Sequence, residues 1–366
     1  MELPVKIWGP FRGISFVFLI MFSTYFGTIF LITPFLPLFF VSPRVGRTAT
    51  VLLIWFWKVY CVAVYEVLFQ TKVKVYGDVP SDKDATLMIM NHRTRLDWLY
   101  LFSFQVRHAS LKHYTISLKN VLKSLPGIGW AMQIAGFIFL DRKWEEDEAN
   151  ISKCLRVFRE VQFKQQILLF PEGTDLTANT KQRSDIYAEK NNLPKYNYVL
   201  HPRTTGFNHF VQEMKKDGLL DHLLDITIAY PRGIPQSELD IFKGNFPEEI
   251  HFHVKTFPNS QIPSQVDDLH NWCKDRWSKK EKVLQDFYEK KAFPKSEKEL
   301  LTNNSLIGSL FLCSWISWTL TELIIVYLLW LYPILWLYVV ACTMFYVYVT
   351  KYTKGFNILI ADAFKV

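Results

Sequence analysis

The sequence predicts an α/β fold, with a central, largely parallel sheet flanked by helices and with membrane helices toward the N- and C-terminal ends. Three observations predict it. Between residues 71 and 300, short continuous apolar runs of strand length recur. Helix-period stretches lie between them, and strands alternating with helices imply a parallel sheet covered on both faces. Flanking this region are long segments without a single formal charge.

Taken in order, residues 1–70 read as a membrane-anchoring segment. Gly13 to Pro43 carries no charge, and a spanning helix needs ~20 apolar residues. Pro34 and Pro37 should break it, leaving a span before about Thr33 and a kinked or interfacial piece after it. The run is too long for the core of a signal peptide, and no small-residue cleavage site precedes Arg44. Val51 to Phe69 is apolar but interrupted by Lys58 and Glu66, which fits an amphipathic interfacial helix or a buried core helix equally well.

Residues 71–300 form the expected catalytic domain. Ala85–Met90, Ile134–Leu140, Gln166–Phe170 and Asp225–Tyr230 are unbroken apolar runs, as expected of strands buried on both faces. Glu145 to Phe163 repeats Ile151, Leu155, Phe158 and Val161 at helical spacing. In such sheets chemistry gathers just past the C-terminal ends of the strands, which points to the loops after Met90, Leu140 and Phe170.

Residues 301–366 return to the membrane. Leu306–Thr321 and Leu323–Thr350 are uncharged on either side of Glu322, and Pro333 falls inside the second stretch. A helical hairpin and one long kinked span both fit. Arg44, Arg47, Lys72 and Lys74 border the N-terminal apolar segments, so the basic central region is expected on the cytosolic side.

Composition narrows the function. Half of the 366 residues are hydrophobic and 16% aromatic, excluding a disordered, collagenous or coiled-coil chain. A charged fraction of 21% and a mean hydropathy of only +0.07 exclude a polytopic transporter. The net charge of +8 suits anionic lipid heads, phosphorylated co-substrates or nucleic acid. Five scattered cysteines without a Cys-x-x-Cys pair argue against a disulfide scaffold or zinc ribbon.

Three motifs sit where the sheet rule points. Asn91-His92-Arg93-Thr94-Arg95-Leu96-Asp97 sets an imidazole, with an ordinary pKa of ~6.5, five residues from a carboxylate at a strand-to-helix turn. The pair has the parts of a general base and the acid that orients it. Taken singly, it reads equally as a helix-capping histidine and a surface charge. Gly136-Phe137-Ile138-Phe139-Leu140-Asp141-Arg142 ends a run with an arginine able to grip a phosphate, or to pair with Asp141 or Glu145. Phe170-Pro171-Glu172-Gly173-Thr174 is a rigid turn with exposed backbone N–H groups.

In this order and spacing the three motifs resemble the glycerolipid acyltransferase family, across the central domain and into the flanking apolar segments. Finer matches at Asn91–Trp98, Phe170–Thr177, Val199–Phe207 and Ile250–Val254 resemble its lysocardiolipin acyltransferase branch. The resemblance implies re-acylation of lysophospholipids, including lysocardiolipin and lysophosphatidylinositol, in endoplasmic reticulum membranes. It implies His92 and Asp97 as catalytic residues, and Arg142, Glu172, Gly173 and Thr174 around the acceptor, with Arg142 on its phosphate. Acyl-CoA would be a co-substrate, and no cofactor is expected. Many family members carry arginine after the Phe-Pro-Glu-Gly-Thr turn, whereas this chain has Asp175, which counts against plain lysophosphatidate as preferred acceptor.

Competing readings are weaker. His251-Phe252-His253 puts two imidazoles on one strand face but lacks a third zinc ligand nearby, so no metal is expected. Pro126-Gly127-Ile128-Gly129 lacks the lysine or third glycine of a phosphate loop. Acidic residues interleave the lysines of 274–298, which fits a solvated helix face rather than a nucleic-acid surface. A lipid hydrolase would need a nucleophile, and no Gly-x-Ser-x-Gly elbow occurs. A non-catalytic lipid-binding protein would not need the His92–Asp97 pair.

Overall fold

The computed structural model describes residues 3–79, 81–294, 297–353 and 355–363. Seven strands are formed among them: β1 (Lys72–Gly77), β2 (Thr86–Met90), β3 (Tyr114–Lys119), β4 (Ile138–Leu140), β5 (Gln166–Leu169), β6 (His222–Ala229) and β7 (Glu249–Pro258). The helices begin with α1 (Leu3–Gly27), α2 (Leu36–Val41), α3 (Pro43–Phe69), α4 (Asp97–His108), α5 (Ile128–Ile134) and α6 (Trp144–Glu160). They continue with α7 (Ala178–Lys190), α8 (Thr204–Lys216), α9 (Glu238–Phe242), α10 (Val266–Lys290), α11 (Asn304–Leu331), α12 (Leu335–Tyr352) and α13 (Phe356–Ala363). The chain divides into two compact units, each built from discontinuous segments.

The first unit comprises Met1–Ile14, Tyr65–Ser110 and Gln166–Asn303. Its strands lie in the order β1-β7-β6-β2-β5. β2 runs parallel to both β5 and β6, β1 runs parallel to β7, and β7 runs antiparallel to β6. Every residue of β2 and β5 is buried, which is why both read as unbroken apolar runs. Ile89 lies opposite Leu169 and Met90 opposite Ile226, so the chain leaves β2, β5 and β6 at the same end of the sheet. There the His92 loop, the Glu172 turn and Tyr230 emerge. Helix α10 packs on β6 and α8, and α4 packs on β1. Glu66, one of the two charges interrupting the second apolar segment, turns to Arg107 in a bidentate pair at 2.8 and 2.7 Å.

The second unit comprises Ser15–Val64, Leu111–Gln165 and Asn304–Val366. It holds the parallel pair β3–β4, with Ser117 opposite Ile138 and Lys119 opposite Leu140. The expected strand at 134–140 starts only at Ile138. Ile134 still belongs to α5, and Gly136 turns the chain with φ +86°, in the left-handed region that a strand cannot use. A β-carbon at Gly136 would also lie 2.8 Å from the Arg47 guanidinium, which donates to Ile134 O at 2.6 Å. Lys58, the second interrupting charge, is buried and donates to Tyr114 O at 2.8 Å. Trp130 of α5 stacks on Tyr346 of α12, with centroids 4.8 Å apart and planes 9° from parallel.

The N-terminal helix breaks where the prolines predict. It gives way to a π turn at Thr28–Ile32 and a 3-10 turn at Thr33–Phe35 before α2. At the other end, α11 and α12 are separate helices interrupted next to Pro333, which decides for two segments over one. Among the described residues, four helical stretches are long and apolar enough to cross a membrane: Trp8–Val41, Pro43–Phe69, Asn304–Leu331 and Leu335–Tyr352. The stretch read as amphipathic or core, Val51–Phe69, is the larger part of one of them.

Candidate active site

In the first unit the sequence places an asparagine where β2 ends, and this residue ties two strand ends together. Asn91 Nδ2 donates to Ile228 O at 3.0 Å, and Ile228 N–H donates to Asn91 Oδ1 at 2.9 Å. The next residue, His92, is thereby delivered to the sheet's end. Its N–H donates to Glu172 Oε1 at 3.2 Å and its carbonyl accepts from Leu176 N–H at 2.8 Å. Its ring stacks on Phe170 with centroids 4.0 Å apart.

His92 Nδ1 lies 2.9 Å from Asp97 Oδ2, so the pair predicted from the five-residue spacing meets. Asp97 is fully buried in the first turn of α4, where the helix dipole favours negative charge. The same Oδ2 accepts from the backbone N–H of Arg93 at 2.6 Å and of Thr94 at 2.9 Å, while Oδ1 accepts from the Tyr230 hydroxyl. With Nδ1 given to the carboxylate as a donor, Nε2 is left with a lone pair. Nε2 has no hydrogen-bond partner among the described residues, and the side chain is 16% exposed, enough for a hydroxyl to reach it. The arrangement can take a proton at Nε2 and hold the resulting imidazolium against a buried carboxylate.

Glu172 is 2% exposed, and both of its oxygens are engaged. Oε1 accepts from His92 N–H and from the Trp277 indole at 3.1 Å, and Oε2 accepts from Leu200 N–H at 3.1 Å. Burial pushes its carboxyl up to about 8, opposed by these three donors, which favour the charged form. Glu172 therefore acts as a brace beneath His92. Gly173 closes the turn with φ +71° and its N–H on Phe170 O at 2.9 Å. Thr174 Oγ1 donates to Asp175 Oδ1 at 3.3 Å, and Asp175 Oδ2 stands 3.7 Å from Arg95 Nε.

The structure thus brings together His92, Asp97, Glu172, Gly173 and Thr174. Arg142 belongs to the second unit. It is exposed on the turn after β4, at φ +65°, a strained value for a residue with a β-carbon. The Asp147 carboxylate holds that turn by accepting from Asp141 N–H at 2.7 Å and Arg142 N–H at 2.8 Å.

Sequence reasoning missed Tyr230 and Trp277. Tyr230 ends a run singled out as a strand, but nothing near it in the sequence tied it to Asp97. Trp277 lies 105 residues from Glu172, on a helix read only for its lysines, and carried no local signal. The paired histidines have other partners. His251 Nε2 lies 3.0 Å from Glu249 Oε2 and His253 Nε2 lies 3.2 Å from Glu297 Oε2.

Comparisons with known proteins agree with the motifs. The family model described as Acyltransferase matches residues 72–230, and the one described as Acyltransferase C-terminus matches residues 240–315. Lysocardiolipin acyltransferase 1 of Gallus gallus is 48% identical over 278 residues, covering 76% of this chain and 74% of its own length. The protein of that name from Mus musculus is 44% identical, with 76% and 74% covered. Lysophosphatidylinositol acyltransferase 10 of Caenorhabditis elegans is 39% identical, with 76% and 71% covered. Motif order, strand-end geometry and these similarities agree, and the chain belongs to the glycerolipid acyltransferase family, on its lysocardiolipin acyltransferase branch.

Proposed function

We propose that this acyltransferase is membrane-bound and moves a fatty acyl group from acyl-CoA to the free hydroxyl of a lysophospholipid, with His92 as general base. The observation that carries the reading is the partnerless Nε2 of an imidazole whose Nδ1 is held by buried Asp97. As the acceptor oxygen attacks the thioester carbon, Nε2 takes its proton and Asp97 stabilises the imidazolium. The tetrahedral intermediate collapses with cleavage of the C–S bond, and the CoA thiolate leaves with the proton returned by His92. No acyl-enzyme forms. Glu172, Gly173 and Thr174 shape the acceptor pocket by fixing the turn beneath His92. Arg142 keeps the phosphate-binding role that family resemblance assigns it.

The proposed acceptors are lysocardiolipin, lysophosphatidylinositol and lysophosphatidylglycerol, supported by the names of the similar proteins. Lysophosphatidate is the second reading, disfavoured by Asp175, whose carboxylate faces Arg95. The proposed setting is the endoplasmic reticulum membrane with the catalytic residues on the cytosolic side. The four long apolar helices support membrane attachment, and the basic residues at 44, 47, 72 and 74 support the orientation. The test is transfer from labelled acyl-CoA by the detergent-held chain to each of the four lysolipids, beside His92→Ala. Transfer that vanishes in the variant supports the reading and ranks the acceptors. A folded wild-type chain that transfers to none of them overturns it in favour of a non-catalytic lipid binder.

A further inference from the structure

We propose that Tyr230 is a positioning residue for acyl transfer, its hydroxyl orienting Asp97 and tuning the basicity of His92. The proposal rests on the reading of His92 as the base. Tyr230 follows β6 and is 1% exposed, and its hydroxyl donates to Asp97 Oδ1, the carboxylate oxygen that His92 does not use. The backbone N–H groups of Arg93 and Thr94 and the His92 ring all converge on Oδ2. Tyr230 is thus the one described donor on the opposite oxygen, and without it Oδ1 is left unanchored and its charge uncompensated.

The position of Tyr230 is set by the strand ends. Asn91 clamps Ile228 through both its N–H and its C=O, so the ends of β2 and β6 cannot slip past each other. Two residues further along, Tyr230 is brought over the first turn of α4, where Asp97 stands. Its ring meets Tyr100 of α4 edge-on at 5.9 Å, which fixes the phenol's direction. This gives the asparagine ahead of His92 a physical role: it aligns the two strands that carry His92 and Tyr230 to Asp97.

The hydroxyl can act here only as a donor. Burial, followed by the Asp97 charge, pushes the Tyr230 phenol well above its ordinary range, and burial does the same to Tyr100. The other titratable or charged groups facing the dyad are Glu172 on the turn after β5, Arg93 on the His92 loop and Tyr288 on α10. A donor on Oδ1 draws negative charge away from the carboxylate. Removing it lets Asp97 hold the imidazolium proton more tightly, so the neutral base is scarcer at acidic pH.

The test is Tyr230→Phe in the full-length, detergent-held chain, with kcat and kcat/KM followed across pH beside wild type and His92→Ala. The expected result is a loss of kcat of about threefold below neutrality, with KM within about twofold. The acid limb of kcat/KM should move upward by roughly half a pH unit. A loss equal at every pH, or an unmoved profile, overturns the role of Tyr230 while an inactive His92→Ala leaves the base intact. An active His92→Ala overturns the base and this proposal with it. Replacement of Tyr230 by 3-fluorotyrosine keeps the shape and gives a stronger donor, so it tests the same point should the phenylalanine variant not fold. It should move the acid limb downward, and no displacement rejects the proposal.

Discussion

Two aspartates of the first unit, Asp97 and Asp225, are equally buried, at 0% and 2% exposure, and are neutralised in opposite ways. Asp225 on β6 meets two basic side chains, with Arg276 Nε 2.6 Å from Oδ2 and Lys280 Nζ against Oδ1. Lys280 is itself 2% exposed and also donates to Ile226 O at 2.6 Å, so this cluster pins α10 to β6. Burial works against the Asp225 charge, yet the two cations hold its carboxyl below the ordinary range. Asp97 receives only neutral donors, and among the described residues bonded to it only His92 can take on a positive charge. Its charge is balanced only when His92 takes up a proton, as the proposed reaction requires. A buried carboxylate held by fixed cations ties elements together, whereas one held by neutral donors is poised for a charge that arrives during chemistry.

The variant that separates the two sites most widely is His92→Ala. It should cut turnover by at least ~10²–10⁴ while leaving the melting temperature within a few degrees, because general-base help is of that size. Retained turnover would take His92 out of the mechanism. Asp225→Asn should do the reverse. It leaves Lys280 buried without its countercharge and should cost about 3–5 kcal/mol in stability, read by denaturant unfolding, with per-molecule activity preserved in whatever folds. The sign against pH comes from the lowered carboxyl. The stability contributed by Asp225 is present above the ordinary aspartate range, near ~3.9, and is lost as pH falls below it. A variant that melts like wild type at neutral pH would show that the cluster does not hold α10.

Smaller effects sharpen the comparison. Tyr230→Phe should lower activity about threefold, on the acidic side only. Glu172→Gln puts an amide N–H₂ opposite one of three N–H donors and should cost about 1–3 kcal/mol, with a lower kcat because the loop carrying His92 loosens. Unchanged kcat and stability would mean that the brace is dispensable. Arg95→Ala removes a cation whose side chain is 57% exposed, so its pair with Asp175 should contribute less than about 1 kcal/mol. Its expected effect is a changed ranking of acceptor headgroups, and an unchanged ranking would exclude Arg95 from acceptor choice.

How legible each part was depended on the distance over which its cause acts. The runs at 85–90, 166–170 and 225–230 give strands because burial on both faces favours mostly apolar residues, and that preference is written locally. β1 and β3 were not singled out. β1 mixes exposed and buried positions along Lys72–Gly77, and β3 ends in polar residues, so neither shows an unbroken apolar run. His92 and Asp97 were legible because one loop carries both. Tyr230 was not, because 133 residues separate it from Asp97 and only the pairing of β6 with β2 brings them together.

Local sequence was enough for the α/β class, the apolar helices toward each end, the break at Pro34 and the His92–Asp97 pair. Each rests on hydrophobic periodicity, proline geometry or spacing within one loop, which are properties of neighbouring residues. Long-range packing was needed to select the oxygen of Asp97 that serves His92 and to make Glu172 a brace with Trp277 and Leu200. It was needed as well to give Lys58 and Glu66, two charges in one apolar helix, their partners within the protein. A buried polar group must be matched wherever the fold brings a partner, and the matching residue can lie anywhere along the chain.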